Sequence, residues 1–329
     1  MAQKPLNWGI LSTAHINRAL IPVLQSSKRT RLLAVASRSL ESAQAYAREW
    51  SIPRAYGRYE DLLADPDIDV IYNPLPNHLH ADWTIKAVQA GKHVLCEKPL
   101  ALTLSEVDAM REAAQAHGKI IAEAFMYRHH PQTLKVKEIV DSGILGAVKM
   151  VRGAFTFTLD RPGNYRLEPS MGGGSLWDVG CYPLSYARFV LGAEPLEVFG
   201  WQTLNPAGCE MSFVAQVRFP GEAFLQFESS FERPPRAFME FVGSEGRLEV
   251  PDPFKPGLST RLLLTRSGRT ETIKVKGKEL YLGEVEDLCD AVQMGKPPRI
   301  SLEDSRGNIA ALLALIESAQ RGVPVAVKG

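Results

Sequence analysis

The stretch Leu6-Asn7-Trp8-Gly9-Ile10-Leu11 is a short apolar run, and Ser12-Thr13-Ala14-His15 leads from it directly into a helical pattern over Ile16–Gln25. The same alternation of apolar run and helical pattern continues through about the first 125 residues. The runs do not alternate between polar and apolar side chains, as expected for strands buried on both faces. Strand and helix in regular alternation require right-handed crossovers, so we predict a parallel, doubly wound sheet.

The remaining elements of this region follow from the same pattern. Strands are expected at Arg31–Ala36, Val70–Asn73, His93–Cys96 and Lys119–Ala122, and helices at Leu40–Trp50, Ala81–Ala90 and Ser105–His117. Gly91 and Gly118 stand where a glycine ends a helix before a strand begins.

The sequence changes in character after an expected helix at Gln132–Ser142. Turn-rich pieces such as Phe219-Pro220-Gly221 separate successive strand-like runs, which is typical of a mostly antiparallel sheet. The runs are Val148–Leu159, Leu196–Leu204, Met211–Arg218, Ala223–Phe231, Ala237–Val242, Leu248–Val250, Arg261–Thr265 and Thr270–Val275. Helices are expected at Ser175–Leu191, Leu280–Met294 and, after Ser301 as N-cap, Leu302–Gln320. One sheet face would stay open and apolar, so we expect a homodimer or homotetramer through this sheet.

Length and charge limit the classes of protein to consider. A chain of 329 residues exceeds one ordinary core, so we predict two domains, over residues 1–124 and 125–329. The 38 basic and 37 acidic residues nearly cancel, which removes the electrostatic argument for a nucleic-acid or membrane partner. The opening residues do not resemble a signal peptide, and no apolar run approaches the roughly 20 residues of a membrane span. Cytoplasm is therefore the expected location.

Disulfides and metals are not expected. Cys96, Cys181, Cys209 and Cys289 are far apart and form no CxxC pair, so they are interpreted as buried small apolar residues. The histidines at 78, 80, 129 and 130 lack the spacing of a zinc site.

The turn after the first strand departs from the dinucleotide fingerprint. That fingerprint would place glycines at positions 12, 14 and 17, where this chain has Ser12, Ala14 and Asn17. All three residues are fairly small, and backbone N–H groups at the helix start can still bind a pyrophosphate. An ordinary strand-to-helix turn is equally compatible with this segment.

The end of the second strand indicates the form of the cofactor. An NAD-specific fold places an acid there against the ribose 2′-hydroxyl, whereas this chain has Ser37-Arg38-Ser39. A hydroxyl and a guanidinium could bind a 2′-phosphate, so we predict NADP, with NAD left open. The alternative is a solvated arginine at the start of a helix.

Two segments carry candidate catalytic residues. Glu97-Lys98-Pro99 follows a predicted strand at the edge where doubly wound sheets bind ligands, and the proline fixes the chain beside the lysine. Gly172-Gly173-Gly174 lets the backbone approach a ligand and leads into a helix on which Asp178 and Tyr182 share a face. A solvated Glu–Lys pair and a helix with core aromatics are the ordinary alternatives. A lysine, a carboxylate and a phenol together could move a proton while a cofactor takes hydride.

Taken together, these segments resemble the Gfo/Idh/MocA family, named after glucose–fructose oxidoreductase and inositol dehydrogenase. The resemblance rests on 8–14 (WGILSTA), 59–63 (YEDLL), 76–80 (PNHLH), 91–99 (GKHVLCEKP), 123–128 (EAFMYR) and 172–182. It implies an NAD(P)-binding Rossmann domain and a C-terminal α/β domain with a large open sheet that forms the oligomer. Tyr182, where other members have histidine, resembles the branch with glucose–fructose oxidoreductase, NADP-dependent aldose (xylose-type) dehydrogenase and dihydrodiol dehydrogenase.

The resemblance implies a catalytic role for Lys98 and an orienting role for Asp178, with Tyr182 at the proton-transfer position. The residues expected to bind cofactor are Ser12, Thr13, Ala14, His15, Ile16, Ser37, Arg38, Leu75, Asn77, His80, Glu97, Lys98 and Arg128. Those expected to bind substrate are Tyr127, Arg161, Tyr165, Asp178 and Tyr182. An ordinary phenol has a pKa of about 10, and a lysine ammonium close to it would lower that pKa.

The predicted activity is hydride transfer between NADP and a cyclic sugar or related polyol, as in an aldose 1-dehydrogenase. Three other catalytic activities fit the same residues: reduction of a keto-sugar, glucose–fructose oxidoreduction with tightly held NADP, and dihydrodiol oxidation. A non-catalytic regulator that senses NAD(P) is a rival from another class. The presence of Lys98, Asp178 and Tyr182 favours catalysis.

Overall fold

A computed structural model describes residues 4–161 and 163–328 and divides the chain into two compact units. The first unit contains the residues up to Met126 together with Tyr281–Ser305, and the second contains Tyr127–Leu280 together with the residues from Arg306 onward. The sequence placed a single boundary after residue 124. The structure instead assigns a late segment to the first unit. Pro162, next to the expected substrate-binding residue Arg161, lies outside the described residues.

The elements have the following bounds. The strands are β1 (Leu6–Leu11), β2 (Thr30–Ala36), β3 (Arg54–Tyr56), β4 (Val70–Asn73), β5 (His93–Glu97), β6 (Ile121–Ala124), β7 (Val148–Thr158), β8 (Glu197–Leu204), β9 (Glu210–Arg218), β10 (Phe224–Ser230), β11 (Glu232–Gly243), β12 (Gly246–Val250), β13 (Ser259–Arg266), β14 (Arg269–Lys276) and β15 (Val325–Ala326). The helices are α1 (Asn17–Ser26), α2 (Leu40–Trp50), α3 (Tyr59–Leu63), α4 (His80–Gln89), α5 (Leu104–His117), α6 (Pro131–Asp141), α7 (Cys181–Leu191), α8 (Leu282–Met294) and α9 (Leu302–Arg321).

The first unit is built on a parallel sheet, as predicted. Its described strands have the order β3-β2-β1-β4-β5-β6, and every neighbouring pair is parallel. The central strands are buried because each carries apolar side chains on both faces, such as the adjacent residues Ile10 and Leu11 of β1 and Ile71 and Tyr72 of β4. The predicted Rossmann architecture is therefore confirmed.

Helix α8 explains why a late segment belongs to the first unit. Its residues Val285, Leu288 and Cys289 are buried in the same apolar cluster as Trp8 and Leu24. The apolar face of α8 therefore completes the core of the parallel sheet. Sequence periodicity located the helix but could not indicate which core would bury it.

Local signals agree with the ends of several helices. Thr103 and Glu106 form a reciprocal capping box at the start of α5, and Gly118 ends that helix with φ 60°. Ser301 caps α9 through a hydrogen bond from the Asp304 amide, at 3.1 Å, as expected. The structure adds β3, α3 and β15, which the sequence did not reveal because each is too short to show a period.

The second unit is built on a mostly antiparallel sheet. Its described strands have the order β14-β13-β12-β11-β7-β10-β9-β8-β15. The long strand β7 lies in the middle, antiparallel to β11 but parallel to β10. The chain reaches β10 from β7 only after passing through α7, β8 and β9, and this long connection permits the parallel pair.

The faces of this sheet differ in burial. Along β9, Phe213, Ala215 and Val217 are buried whereas Val214 and Gln216 between them are exposed. One face therefore packs into the core of the second unit and the other faces outward in this single chain. In the described part of the chain, no helix combines the length and apolarity needed to cross a membrane.

Candidate functional site

The turn after β1 adopts a backbone conformation that usually requires glycine, although this chain has serine there. Ser12 has φ 73°, a left-handed conformation that glycine adopts more easily. Its amide donates to the Ala36 carbonyl at 2.8 Å, and the Asn17 side-chain amide donates to the Ser12 carbonyl at 3.0 Å. These two bonds hold the strained turn, so Ser12 and Asn17 can occupy fingerprint positions that usually need glycine.

The start of α1 fits an anionic group such as a pyrophosphate. Ile16 at the N-cap supplies no side-chain hydrogen bond, and no acidic residue lies in the first turn. The buried Ser12 Oγ has no hydrogen-bond partner among the described residues. Thr13 and His15 are exposed, and Ala14 and Ile16 are partly buried. The exposed residues of the turn, the helix N-terminus without an acidic residue and the Ser12 hydroxyl match the requirements of a bound phosphate.

The end of β2 presents Ser37, Arg38 and Ser39. The Ser37 amide donates to the Tyr56 carbonyl at 3.0 Å, and Ser39 caps α2 by accepting from the Ser42 amide at 3.4 Å. Arg38 is exposed, and its charge reaches the Tyr59 phenol, where it partly offsets the rise that burial causes in the pKa of Tyr59. Ser39 therefore has a structural role, and Arg38 is placed to meet a ligand in solvent.

His80 joins the loops that follow β4 and β5. Its two ring nitrogens lie 2.7 Å from the Pro99 carbonyl (Nδ1) and 2.7 Å from the Leu75 carbonyl (Nε2), and the ring is buried. Burial lowers the pKa of His80 to about 4. The hydrogen bonds to the two carbonyls favour the charged ring and oppose this decrease. These contacts make His80 a brace between two loops, and Asn77, three residues earlier, is buried in the same connection.

Lys98 is positioned by its neighbours on the parallel sheet. The Tyr72 hydroxyl donates to Glu97 Oε1 at 2.6 Å, and the Lys98 amide donates to Glu97 Oε2 at 3.3 Å. Lys98 is half-buried, and the next residue, Pro99, is held by His80. The Glu97 carboxylate and the His80 ring therefore fix the backbone on both sides of the lysine.

In the second unit, Glu210 of β9 holds the segment that carries Asp178 and Tyr182. The Leu176 amide donates to Glu210 Oε2 and the Ser175 hydroxyl to Glu210 Oε1, both at 2.6 Å. Burial raises the pKa of Glu210 to about 7, and these two donors oppose the rise. From the sequence, the start of this helical segment was expected to approach a ligand. In the structure the Glu210 carboxyl group of the chain itself binds there.

The three glycines are required by the packing of the chain on itself. Gly172 has φ 74° and Gly174 has φ 124°, both in the region that favours glycine. A Cβ on Gly173 would lie 2.7 Å from the Arg166 and Glu168 carbonyl oxygens. The glycine run was predicted to let the backbone approach a ligand. In the structure it lets the backbone approach the preceding loop of the same chain.

Asp178 lies in a π-helical turn, and Tyr182 lies in the first turn of the α-helix that follows. Residues Leu176–Gly180 form the π-helical turn, closed by the Cys181 amide on the Leu176 carbonyl, and α7 follows directly. The sequence predicted one regular helix from Ser175, so the wider turn is a new finding, and such turns are frequent at functional sites. Both side chains are nearly buried.

Tyr182 stands on an aromatic floor. Its ring centroid lies 5.3 Å from that of Phe155, 5.5 Å from that of Phe254 and 5.6 Å from that of Tyr127. These rings come from β7, from the loop after β12 and from the turn before α6, and they leave the Tyr182 ring little freedom to rotate. A fixed phenol is what proton transfer in a defined direction needs.

Asp178 is paired with Arg166, a residue that the sequence did not single out. Arg166 Nε donates to Asp178 Oδ2 at 2.8 Å. The neighbouring candidates Arg161 and Tyr165 were named instead, and both belong to the same loop. A buried carboxylate needs a cation, so the loop's arginines could have been weighed as partners of Asp178.

The other predicted ligand-binding residues are placed as follows. Tyr127 is fully buried beneath Tyr182, and its hydroxyl donates to the Tyr182 carbonyl at 3.4 Å. Arg128 is buried against α7, where it donates to Ser185 Oγ at 3.1 Å and lies over the Phe189 ring. Arg161 is exposed, and Tyr165 lies under the Arg166 guanidinium. Ligand contacts by these residues stay predictions.

Metal and thiol chemistry find no support in the described residues. No group of three or more metal-ligating side chains occurs among them. All four cysteines are buried and free, and burial raises the pKa of Cys209 and of Cys289 to about 11.

Comparison with known proteins agrees with this arrangement. Residues 6–125 match the model of an oxidoreductase family with an NAD-binding Rossmann fold, and residues 133–249 match the GFO/IDH/MocA C-terminal domain. The chain belongs to the Gfo/Idh/MocA family of oxidoreductases. The expected family and the expected class of enzyme are confirmed.

Three relatives illustrate the family. The chain is 39% identical over 323 residues to D-xylose 1-dehydrogenase (NADP(+)) 2 from Haloferax volcanii, covering 97% of this chain and 98% of that protein. It is similar to the structure of aldose-aldose oxidoreductase from Caulobacter crescentus with glycerol (TM-score 0.91, 26% identity, 98% and 99% covered). It is also similar to that of a 3-ketoreductase from Actinomadura kijaniata with NADP and TDP-benzene (TM-score 0.91, 28% identity, 95% and 98% covered).

Glu210→Gln is expected to make the stability of the protein less dependent on pH. The folded chain holds the Glu210 proton up to about pH 7, whereas an ordinary glutamate releases it near 4.5. The free energy of unfolding therefore falls as pH rises through this window, by about 1–3 kcal/mol for a partly exposed carboxyl group. Glutamine does not titrate, so urea unfolding at about pH 5 and about pH 8 should differ less in the variant.

Glu271→Gln, which changes an exposed glutamate on β14, is the matched control and should keep the wild-type dependence. Equal pH dependence in Glu210→Gln and the wild type would contradict the role of Glu210.

Proposed function

We propose that the protein transfers hydride between NADP and a hydroxyl-bearing carbon of a cyclic sugar or related polyol, as an aldose 1-dehydrogenase does. The observation that carries the proposal is the nearly buried pair of Asp178 and Tyr182 on one short segment, held by Glu210 and by an aromatic floor. A carboxylate and a phenol in this arrangement can bind two neighbouring hydroxyls of a sugar and remove the proton of one of them.

In the proposed mechanism, Tyr182 accepts the proton of the substrate hydroxyl that is oxidised. Asp178 accepts a hydrogen bond from an adjacent hydroxyl and orients the ring. Lys98 supplies positive charge to the substrate oxygen as negative charge develops there, and its ammonium also favours the ionised phenol. Bound NADP⁺ supplies the hydride acceptor. For reduction of a keto-sugar the same residues act in reverse, with Tyr182 donating the proton.

The preference for NADP is inferred from the end of β2. Arg38 is exposed, no acid occupies residues 37–39, and Ser37 lies beside it. A guanidinium and a hydroxyl favour a ribose 2′-phosphate, whereas a carboxylate would repel it. The xylose dehydrogenase relative is named for NADP, and the ketoreductase structure contains it. Use of NAD remains compatible with the rest of the turn.

The substrate class is inferred from the polar surroundings of Asp178 and from the relatives. An aldose oxidised at its anomeric carbon is favoured by the xylose dehydrogenase relative, which matches over nearly the full length of both chains. A keto-sugar is the second candidate, and the similar ketoreductase structure favours it. Arg161 and Tyr165 belong to the loop that precedes the Asp178 segment, and we assign them to substrate contact.

We also propose that copies of this chain associate through the exposed face of the nine described strands of the second sheet. Trp201 and Val214 are neighbours on that face and are 54% and 40% exposed, and Phe224 of the adjacent strand β10 is 42% exposed. Large apolar side chains grouped on a sheet face are costly in water, so a second copy is the natural partner. The dimer or tetramer expected from the sequence would use this face.

Tyr182→Phe and Lys98→Met should each reduce turnover by about 10²–10⁴-fold, because they remove the proton acceptor and the positive charge respectively. NADPH should still bind, which fluorescence titration can measure. Tyr186→Phe changes a tyrosine one turn further along α7 and should keep turnover near the wild-type value. If both active-site variants kept most of their turnover, the mechanism would be wrong.

Arg38→Ala should reduce kcat/KM for NADP⁺ by roughly tenfold or more while changing that for NAD⁺ little, because only the phosphate is lost as a partner. Arg58→Ala, at an exposed arginine, is the control. The assay should screen aldoses, keto-sugars and polyols with both cofactors in both directions. Equal wild-type rates with NADP and NAD would rule out the assignment to Ser37 and Arg38.

Trp201→Glu combined with Val214→Glu should lower the molar mass in solution to that of a smaller assembly, because two charges would be buried at the interface. Leu258→Glu replaces another exposed apolar residue, 68% exposed in the loop before β13, and should leave the assembly unchanged. Light scattering after size-exclusion chromatography measures both. A wild-type protein that is monomeric at micromolar concentration would refute the proposed interface.

A further inference from the structure

Arg166 forms both an ion pair and a hydrogen bond with Asp178 within the second unit. The Nε–Oδ2 distance is 2.8 Å, and the side chains are 32% and 10% exposed. The carboxylate is nearly buried and the guanidinium is partly exposed, so the paired guanidinium replaces water that the Asp178 carboxylate has lost. The bond therefore reflects a built arrangement rather than a mobile surface contact.

The backbone around Arg166 is fixed as firmly as its side chain. The Arg166 amide donates to Asn164 Oδ1 at 3.0 Å, and its carbonyl accepts from the Gly174 amide at 3.0 Å. Cys209 Sγ approaches the same carbonyl at 3.4 Å, and the guanidinium lies 4.7 Å from the centre of the Tyr165 ring. Both the backbone and the side chain of Arg166 therefore connect this loop to the segment that begins at Gly174.

The charge of Arg166 also reaches Tyr182. Burial lowers the pKa of Arg166, but the charge of Asp178, the phenol of Tyr165, the Asp178 hydrogen bond and the Tyr182 phenol raise it above the ordinary value. The guanidinium is therefore always charged, and it lies within electrostatic range of the Tyr182 hydroxyl. Its effect on Tyr182 arises within the second unit and does not depend on Lys98.

We propose that Arg166 is a positioning residue of this site: its guanidinium holds the Asp178 carboxylate in its substrate-binding orientation and supplies a permanent positive charge beside the Tyr182 phenol. This inference rests on the function proposed above. It assigns to one loop residue two tasks, orientation of the acceptor for the neighbouring hydroxyl and stabilisation of the phenolate that takes the proton.

Three aromatic rings and a carboxylate also lie around Tyr182. Phe155 and Phe254 are uncharged, and Tyr127 presents a third ring to it. Asp178 is an anion and by itself opposes ionisation of the phenol. Under the proposed mechanism Lys98 is the second cation. Removal of Arg166 should therefore take away one cation while the negative charge of Asp178 remains close to the phenol. The pKa of Tyr182 should rise, so proton transfer should need a higher pH.

The test compares Arg166→Met, Arg166→Lys and the control Arg269→Met, at an exposed arginine of the β13–β14 hairpin, with the wild type. The measurements are Tm and the pH profile of kcat/KM for sugar oxidation from about pH 6 to about pH 10. Arg166→Met should lose roughly tenfold to a hundredfold in kcat/KM at about pH 7 and recover much of it at high pH. The rising limb of its profile should move upward by about one pH unit or more.

Arg166→Lys keeps the charge but not the fixed Nε, so it should retain the wild-type profile at a lower rate. A purely structural role would lower Tm and the rate equally at every pH. If Arg166→Met is too unstable to assay, Arg166→Gln removes the charge and retains a hydrogen-bond donor, and the same shift is expected. An unshifted profile in the folded, uncharged variant, or the same shift in Arg166→Lys, would overturn the proposal.

Tyr182→Phe in the same assay separates this inference from the proposed function. If Tyr182→Phe keeps most of the turnover, the proton-transfer role fails and the Arg166 proposal fails with it. If Tyr182→Phe collapses turnover while Arg166→Met leaves the profile unshifted, only the Arg166 proposal is overturned.

Discussion

The backbone amides at the start of the segment that carries Tyr182 are buried, so water cannot accept their hydrogen bonds. The Glu210 carboxyl group accepts them instead. This carboxyl group binds Ser175 and Leu176, at the start of the π-helical turn that carries Asp178 and leads to Tyr182. β9 and the helix are thereby fixed to each other by hydrogen bonds rather than by apolar packing alone. Glu210, which has no proposed contact with the substrate, thus helps to position the segment whose side chains are proposed to act on it.

Much of the fold follows from hydrophobic pattern. Strands such as Val70–Asn73 are apolar on both faces and could be recognised as members of a parallel sheet. The strand-like runs separated by turns in the second half of the chain predicted a mostly antiparallel sheet. The parallel pairing of β7 with β10 could not be predicted, because the sequence of a strand does not indicate which strands lie beside it in the sheet. Short elements such as β3 and α3 were missed because a few residues cannot show a period.

The candidate site was predicted where chemistry is local in the sequence. Lys98 beside its proline, and Asp178 four residues before Tyr182, are visible as motifs and as a family resemblance. Arg166 and Glu210 were not visible, because each acts through a partner that only the fold brings near. The glycine run misled for a related reason. Glycine signals close approach, but the sequence does not say whether a ligand or the chain itself approaches.

The first unit owes part of its core to α8, and this has a consequence for how the protein is made. A ribosome adds about 5–20 residues per second, so α8 emerges roughly ten to thirty seconds after β6. Throughout that interval the nascent parallel sheet has an uncovered apolar surface where Val285, Leu288 and Cys289 will later pack. The growing chain is therefore most exposed to chaperones and to aggregation while its second sheet is being synthesised.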